Sequence, residues 1–156
     1  KVARGLYCLA GYIPETYPDL VLASLQAPKG VICLISALYF HEATTEIPKH
    51  VDIALSRNTR ISKIEYPLVK FYQFGDMTWR NVIEYHKIEK RKIPIYNLAK
   101  TVADCFKFRN RIGIDVAREA LKIAIKEKGV SPTDIMFYAE ICRVHNIVKP
   151  ILEAML

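Results

Sequence analysis

The chain has 156 residues, 51% of them hydrophobic and 25% charged, a globular composition that excludes an intrinsically disordered tract. Lys and Arg number 23 against 16 Asp and Glu, a net charge of +7, which favours polyanionic partners through their phosphates. The longest apolar run, Val31 to Phe40, is broken by Ser36, and no charged-then-apolar leader precedes a small-residue cleavage site, so the reading is cytoplasmic with no membrane span.

Lys1 to Leu9 reads as one strand, interrupted at Gly5, with no visible pairing partner upstream. Residues 11–19 carry Gly11, Pro14 and Pro18 and read as a linker, and Pro18 opens a short amphipathic stretch on Leu20, Val21 and Leu25. Pro28 is well placed for the first turn of a helix over Lys29 to His41. Val31, Leu34, Ile35, Leu38 and Tyr39 give that segment a broad apolar face.

The period then changes. His50 to Leu55, Val69 to Phe74 and Asn81 to Ile88 are rich in β-branched and aromatic residues and read as strands. Ile93 to Tyr96 is a short fourth strand at best, given Pro94. From Asn97 the chain turns helical. Leu98, Val102, Cys105, Phe106 and Arg109 trace one face, and Val116, Ala117, Ala120, Leu121, Ala124 and Ile125 trace the next, with Gly129 as C-cap. Ser131-Pro132-Thr133-Asp134 is a helix start, for a third helix running to about Cys142, and Asn146 is expected to cap a last one ending at Leu156. The predicted class is α+β, a small mixed sheet packed with helices.

No catalytic constellation forms on spacing alone. His41-Glu42-Ala43-Thr44-Thr45 begins like a zincin motif, but Thr45 stands where the second histidine belongs. A metal-dependent nuclease would need Asp52 joined to a Glu-x-Lys pair. Lys87 is one place too far from Glu84, and the two would face opposite sides of a strand. Ser24 and Ser36 lie in helical patterns, and no phosphate-cradling glycine loop occurs. Asp104, inside an apolar helix, calls for an ion pair with Lys100 or Arg109. The cysteines Cys8, Cys33, Cys105 and Cys142 are scattered and read as small buried hydrophobes rather than metal ligands. No cofactor, metal or catalytic residue is expected.

Three basic groups remain: Lys1 and Arg4 with Tyr7 on the first strand, Arg57, Arg60 and Lys63 in a loop, and Lys87, Lys90, Arg91 and Lys92. The first two are the expected DNA contacts, made to phosphate.

Ala99 to Gly113 (AKTVADCFKFRNRIG), continued by Asp115 to Leu121, resembles the C-terminal domain of the AbiEi antitoxin family. Pro28 to Leu38 is similar to that family's first core helix, and Arg4-Gly-Leu-Tyr7 to the wing strand closing its winged-helix domain. The resemblance implies a wing remnant at 1–11, a linker and short helix at 12–27, and an antitoxin domain at 28–156, with the helices before the wing missing. It further implies a transcriptional autorepressor and antitoxin of a type IV toxin–antitoxin operon in phage abortive infection. Its partners would be operator DNA and a nucleotidyltransferase-like toxin, the latter countered without a stable complex. The alternatives are a nuclease-like enzyme on Asp52 and Glu84, and a stand-alone interaction module without DNA binding.

Overall fold

The structure, a computed structural model, describes residues 15–61, 63–75 and 83–156. Among these residues the chain orders as α1 (Pro18–Gln26), β1 (Val31–Ile32), α2 (Leu34–Phe40), β2 (Val51–Ser56), β3 (Val69–Phe74), β4 (Ile83–Ile88) and β5 (Arg91–Tyr96). Five helices follow: α3 (Leu98–Lys107), α4 (Arg109–Ile112), α5 (Ile114–Lys126), α6 (Pro132–Ile141) and α7 (His145–Met155). The strands form one mixed open sheet in the order β3-β2-β1-β5-β4, so the α+β expectation holds. The first-strand reading, with Lys1, Arg4, Tyr7 and Cys8, lies outside the described residues.

The two faces of the sheet carry separate cores, as side-chain alternation along strands requires. Val31, Ala54, Tyr72, Phe74 and Tyr96 pack against α2, α3, α5, α6 and α7. Ile32, Val51, Ile53, Leu55, Ile93 and Ile95 pack against α1. Helix α3 is the hub of the helical layer, touching α2 and each of α4 to α7.

The helix expected over Lys29 to His41 is instead split. Val31 and Ile32 form the central strand, antiparallel to β2 through Val31↔Ala54 and Ile32↔Ile53 and parallel to β5 through Ile32↔Ile95. Gly30 permits this, because a Cβ there would meet Ile53 Cγ2 at 2.3 Å. The chain then swings into α2 through Leu34, at φ 47.

The N-cap signals at Asn97 and Ser131 operate as read. Asn97 Oδ1 accepts from the Lys100 amide at 2.8 Å, and Ser131 Oγ accepts from the Thr133 amide at 3.1 Å. Gly129 is not the cap itself: α5 ends at Lys126 with Glu127 as C-cap. Gly129, at φ 67, lies two residues beyond that cap and turns the chain so that the Val130 amide reaches back to the Ala124 carbonyl at 2.9 Å. The last helix departs from expectation: it begins at His145, with Val144 at the N-cap and no side-chain cap, so Asn146 lies inside it. Arg143, at φ 61, makes the turn that starts it. Among the described residues no helix is long and apolar enough to cross a membrane.

Candidate nucleic-acid interface

Sheet register gathers basic residues from three places in the sequence onto one end. Because β2 is antiparallel to β1, and β1 parallel to β5, the C-terminal end of β2 lies beside the starts of β1 and β5. The turn joining β4 to β5 is at the same end. Lys29 precedes β1 by two residues, Arg57 follows β2 directly, and Arg60 and Lys63 continue that loop. All four are exposed. Two strand spacings separate β2 from β5, roughly 10 Å, so the two groups form one stripe rather than distant patches.

The β4–β5 hairpin is the prominent part of this end. Glu89 and Lys90 take φ 47 and φ 72, the paired positive values of a two-residue type I′ turn. Register places Lys87 opposite Lys92, a like-charge pair that weakens an isolated sheet edge. Lys87, Lys90 and Lys92 are exposed. Among the described residues the ion pairs are His50–Asp52, His86–Glu84 and Lys100–Asp104, and none of Lys29, Arg57, Arg60, Lys63, Lys87, Lys90 or Lys92 takes part in one. Glu89, the acid at the tip, is engaged by the Thr16 amide at 2.6 Å. A stripe of uncompensated cations built on strand ends is the electrostatic footprint that phosphate backbones bind.

Of the sequence-predicted contacts, Arg57 falls in this stripe and Arg60 follows it closely. Lys63 lies midway along the connection that runs back to the other end of the parallel strand β3, and Lys1, Arg4 and Tyr7 lie outside the described residues. Sequence reading had the hairpin cations as a cluster but left them out of the DNA contacts. Their turn, one of the two devices that aim them, rests on Glu89-Lys90, which is not the Asn-Gly or Asp-Gly signature of a type I′ turn.

Behind the stripe, on the helical face, lies a buried polar centre. Lys100 and Asp104, one turn apart on α3, are each 1% exposed at the side chain. Lys100 Nζ sits over the rings of Tyr96 and Phe74, at 4.5 and 4.9 Å. Cys142 Sγ donates to Asp104 Oδ1 at 3.2 Å. Burial pushes the Asp104 carboxyl above its usual range, and Lys100 pulls it back; the Cys142 thiol is pushed up to about 12. Cys33, Cys105 and Cys142 are free and buried, as small hydrophobes. The expected partner of Asp104 is therefore Lys100, while Arg109 donates to the Phe106 carbonyl. Sealed from solvent, the pair holds α3 in place and has no access to a substrate.

Asp52 and Glu84 are not brought together. Asp52 lies between Val51 and Ile53, which face α1, and so points to the helical side, where His50 Nε2 is 3.0 Å from its carboxylate. Glu84 pairs with Ile95 and shares the α1 face, with β1 and β5 lying between its strand and β2. His50 and Ser36 line a groove of about 640 Å³ between α1, α2 and the loop at 47–50. Ser36 Oγ accepts the Asp52 amide at 2.9 Å rather than meeting an imidazole, so no nucleophile–base pair forms there.

Comparison with protein-family models gives no match, and comparison with curated proteins gives none either.

Proposed function

We propose that this chain is a DNA-associated regulatory protein without catalytic residues of its own, serving as antitoxin and transcriptional autorepressor in a type IV toxin–antitoxin operon of the bacterial cytoplasm. The observation that carries the DNA-binding part is the convergence of Lys29, Arg57 and the β4–β5 hairpin cations on one sheet end, with Arg60 in the loop that leaves it. Cations spaced along strand ends position a protein on phosphates and carry no base readout of their own. Lys1 and Arg4, with Tyr7, would add phosphate contacts as the end of a wing strand. The antitoxin part rests on the resemblance of residues 99–121 to the AbiEi family, whose Lys100 and Asp104 form the buried pair that organises the helical layer.

In this reading the toxin is a functional partner, countered through expression control rather than through a stable complex. The test has two arms. The protein should shift a duplex from its own promoter in a gel, and its co-expression should restore growth to cells carrying the neighbouring nucleotidyltransferase-like toxin. A folded protein that does neither overturns the proposal.

A further inference from the structure

His41, Glu84 and His86 converge from separate parts of the chain, and their ligand atoms all lie within 4.8 Å of one another. We propose that these three side chains bind a late first-row divalent transition-metal ion, zinc being the one their donor set fits best. This site is independent of the nucleic-acid reading.

The convergence is built by the fold. Glu84 and His86 are two residues apart on β4, so their side chains share the α1 face. Glu84 Oε1 lies 2.8 Å from His86 Nε2. His41 arrives from the C-terminal end of α2, where its Nε2 hydrogen-bonds the Tyr96 carbonyl at 2.9 Å. A carbonyl can only accept, so that bond fixes the proton on Nε2 and leaves the lone pair on Nδ1. Metal-ligating histidines carry such a backbone partner as a rule, because it sets tautomer and ring orientation. Phe40 walls the site on one side, its ring 4.7 Å from that of His86 and 5.3 Å from that of His41.

Two imidazoles and one carboxylate form the set found in zinc sites that keep a fourth position for water. Magnesium and calcium prefer oxygen donors in larger number. Donors about 2.1 Å from a tetrahedral ion stand roughly 3.4 Å apart. Glu84 and His86 are 40% and 31% exposed at the side chain, so both can rotate inward to reach that spacing. A bound ion would clamp the end of α2 to edge strand β4. The His-Glu-x-x-His spacing at His41 fails because its partners come from a strand more than forty residues on, as the sequence positions show.

The test is calorimetric titration of the tag-free chain with zinc at neutral pH. One saturable site is expected, with a rise in thermal midpoint that follows zinc concentration. His86→Ala and Glu84→Gln should each weaken zinc binding by about tenfold or more, whereas His145→Ala, at an exposed position on α7, should leave it unchanged. Both informative substitutions fall on half-exposed positions of an edge strand, and circular dichroism verifies that each variant is folded. His41→Asn provides a third variant removing a ligand from a different element. Absence of saturable one-to-one binding overturns the proposal, as does binding that the folded variants do not weaken.

Discussion

Lys100 Nζ donates to both oxygens of Asp104, at 2.7 and 2.6 Å, one turn apart on a helix that packs beneath the sheet. The two charges are almost wholly removed from water, with Tyr96 and Phe74 over the ammonium group. Pairing offsets the desolvation cost, and removing one member leaves the other buried without compensation. Lys100→Met or Asp104→Leu alone should therefore cost about 3–5 kcal/mol in urea denaturation. The double substitution should recover most of that loss, since a buried pair is often replaceable by apolar side chains of similar volume. Additive losses in the double variant would show that the two side chains act separately.

Asp52 gives the fold a distinct acid-side signature. Burial raises its pKa above the ordinary carboxylate value, and His50 and Tyr72 offset this only in part. The folded chain thus holds that proton to higher pH than the unfolded chain does. Its contribution to stability is full below the unfolded value of about 3.9 and is lost as pH rises through the folded value. Asp52→Asn removes this component. Its stability relative to the parent should increase with pH across that window, measured by denaturation at stepped pH. A difference constant with pH would contradict the assignment.

Gly30→Ala tests why the central strand is so short. The new Cβ would be driven into Ile53 Cγ2 at 2.3 Å and the Ala27 carbonyl at 3.2 Å. Overpacking of this kind costs about 1–3 kcal/mol. Gly75→Ala, whose Cβ would approach, among the described residues, the Arg57 side chain at 3.5 Å, should cost less than Gly30→Ala in the same thermal denaturation measurement.

Much of this architecture was legible in the sequence, because it rests on local rules. β3 has the bounds its alternation predicts, α3, α5 and α6 follow their apolar faces, and α3 and α6 start at the caps Asn97 and Ser131. β1 was not legible. Two β-branched residues inside an apolar run fit a buried helix as well as a strand, and only pairing with β2 and β5 decides between them. β5 was underread because of Pro94, which the sheet accepts where β1 meets β5 through Ile32↔Ile95 alone. That leaves the flank nearly open, the setting in which a strand tolerates proline. The basic stripe was half legible. Its clusters are visible as charge runs, but their meeting depends on strand order, which no local pattern encodes. The His41, Glu84 and His86 group was not legible, since its members meet only through β4–β5 pairing and the end of α2.

The proposed function requires that the sheet end bearing Lys87, Lys90 and Lys92 meets nucleic-acid phosphates. The most direct test is the salt dependence of duplex DNA binding, followed by fluorescence anisotropy, for the parent chain and for a variant with all three lysines changed to Ala. Each phosphate contact removed should reduce the slope of log K against log salt by about 0.9. The variant should thus bind more weakly, with a shallower slope and a loss that is uniform across DNA sequences. A variant with the parent's affinity and slope would contradict the claim, as would a parent chain whose binding does not depend on salt.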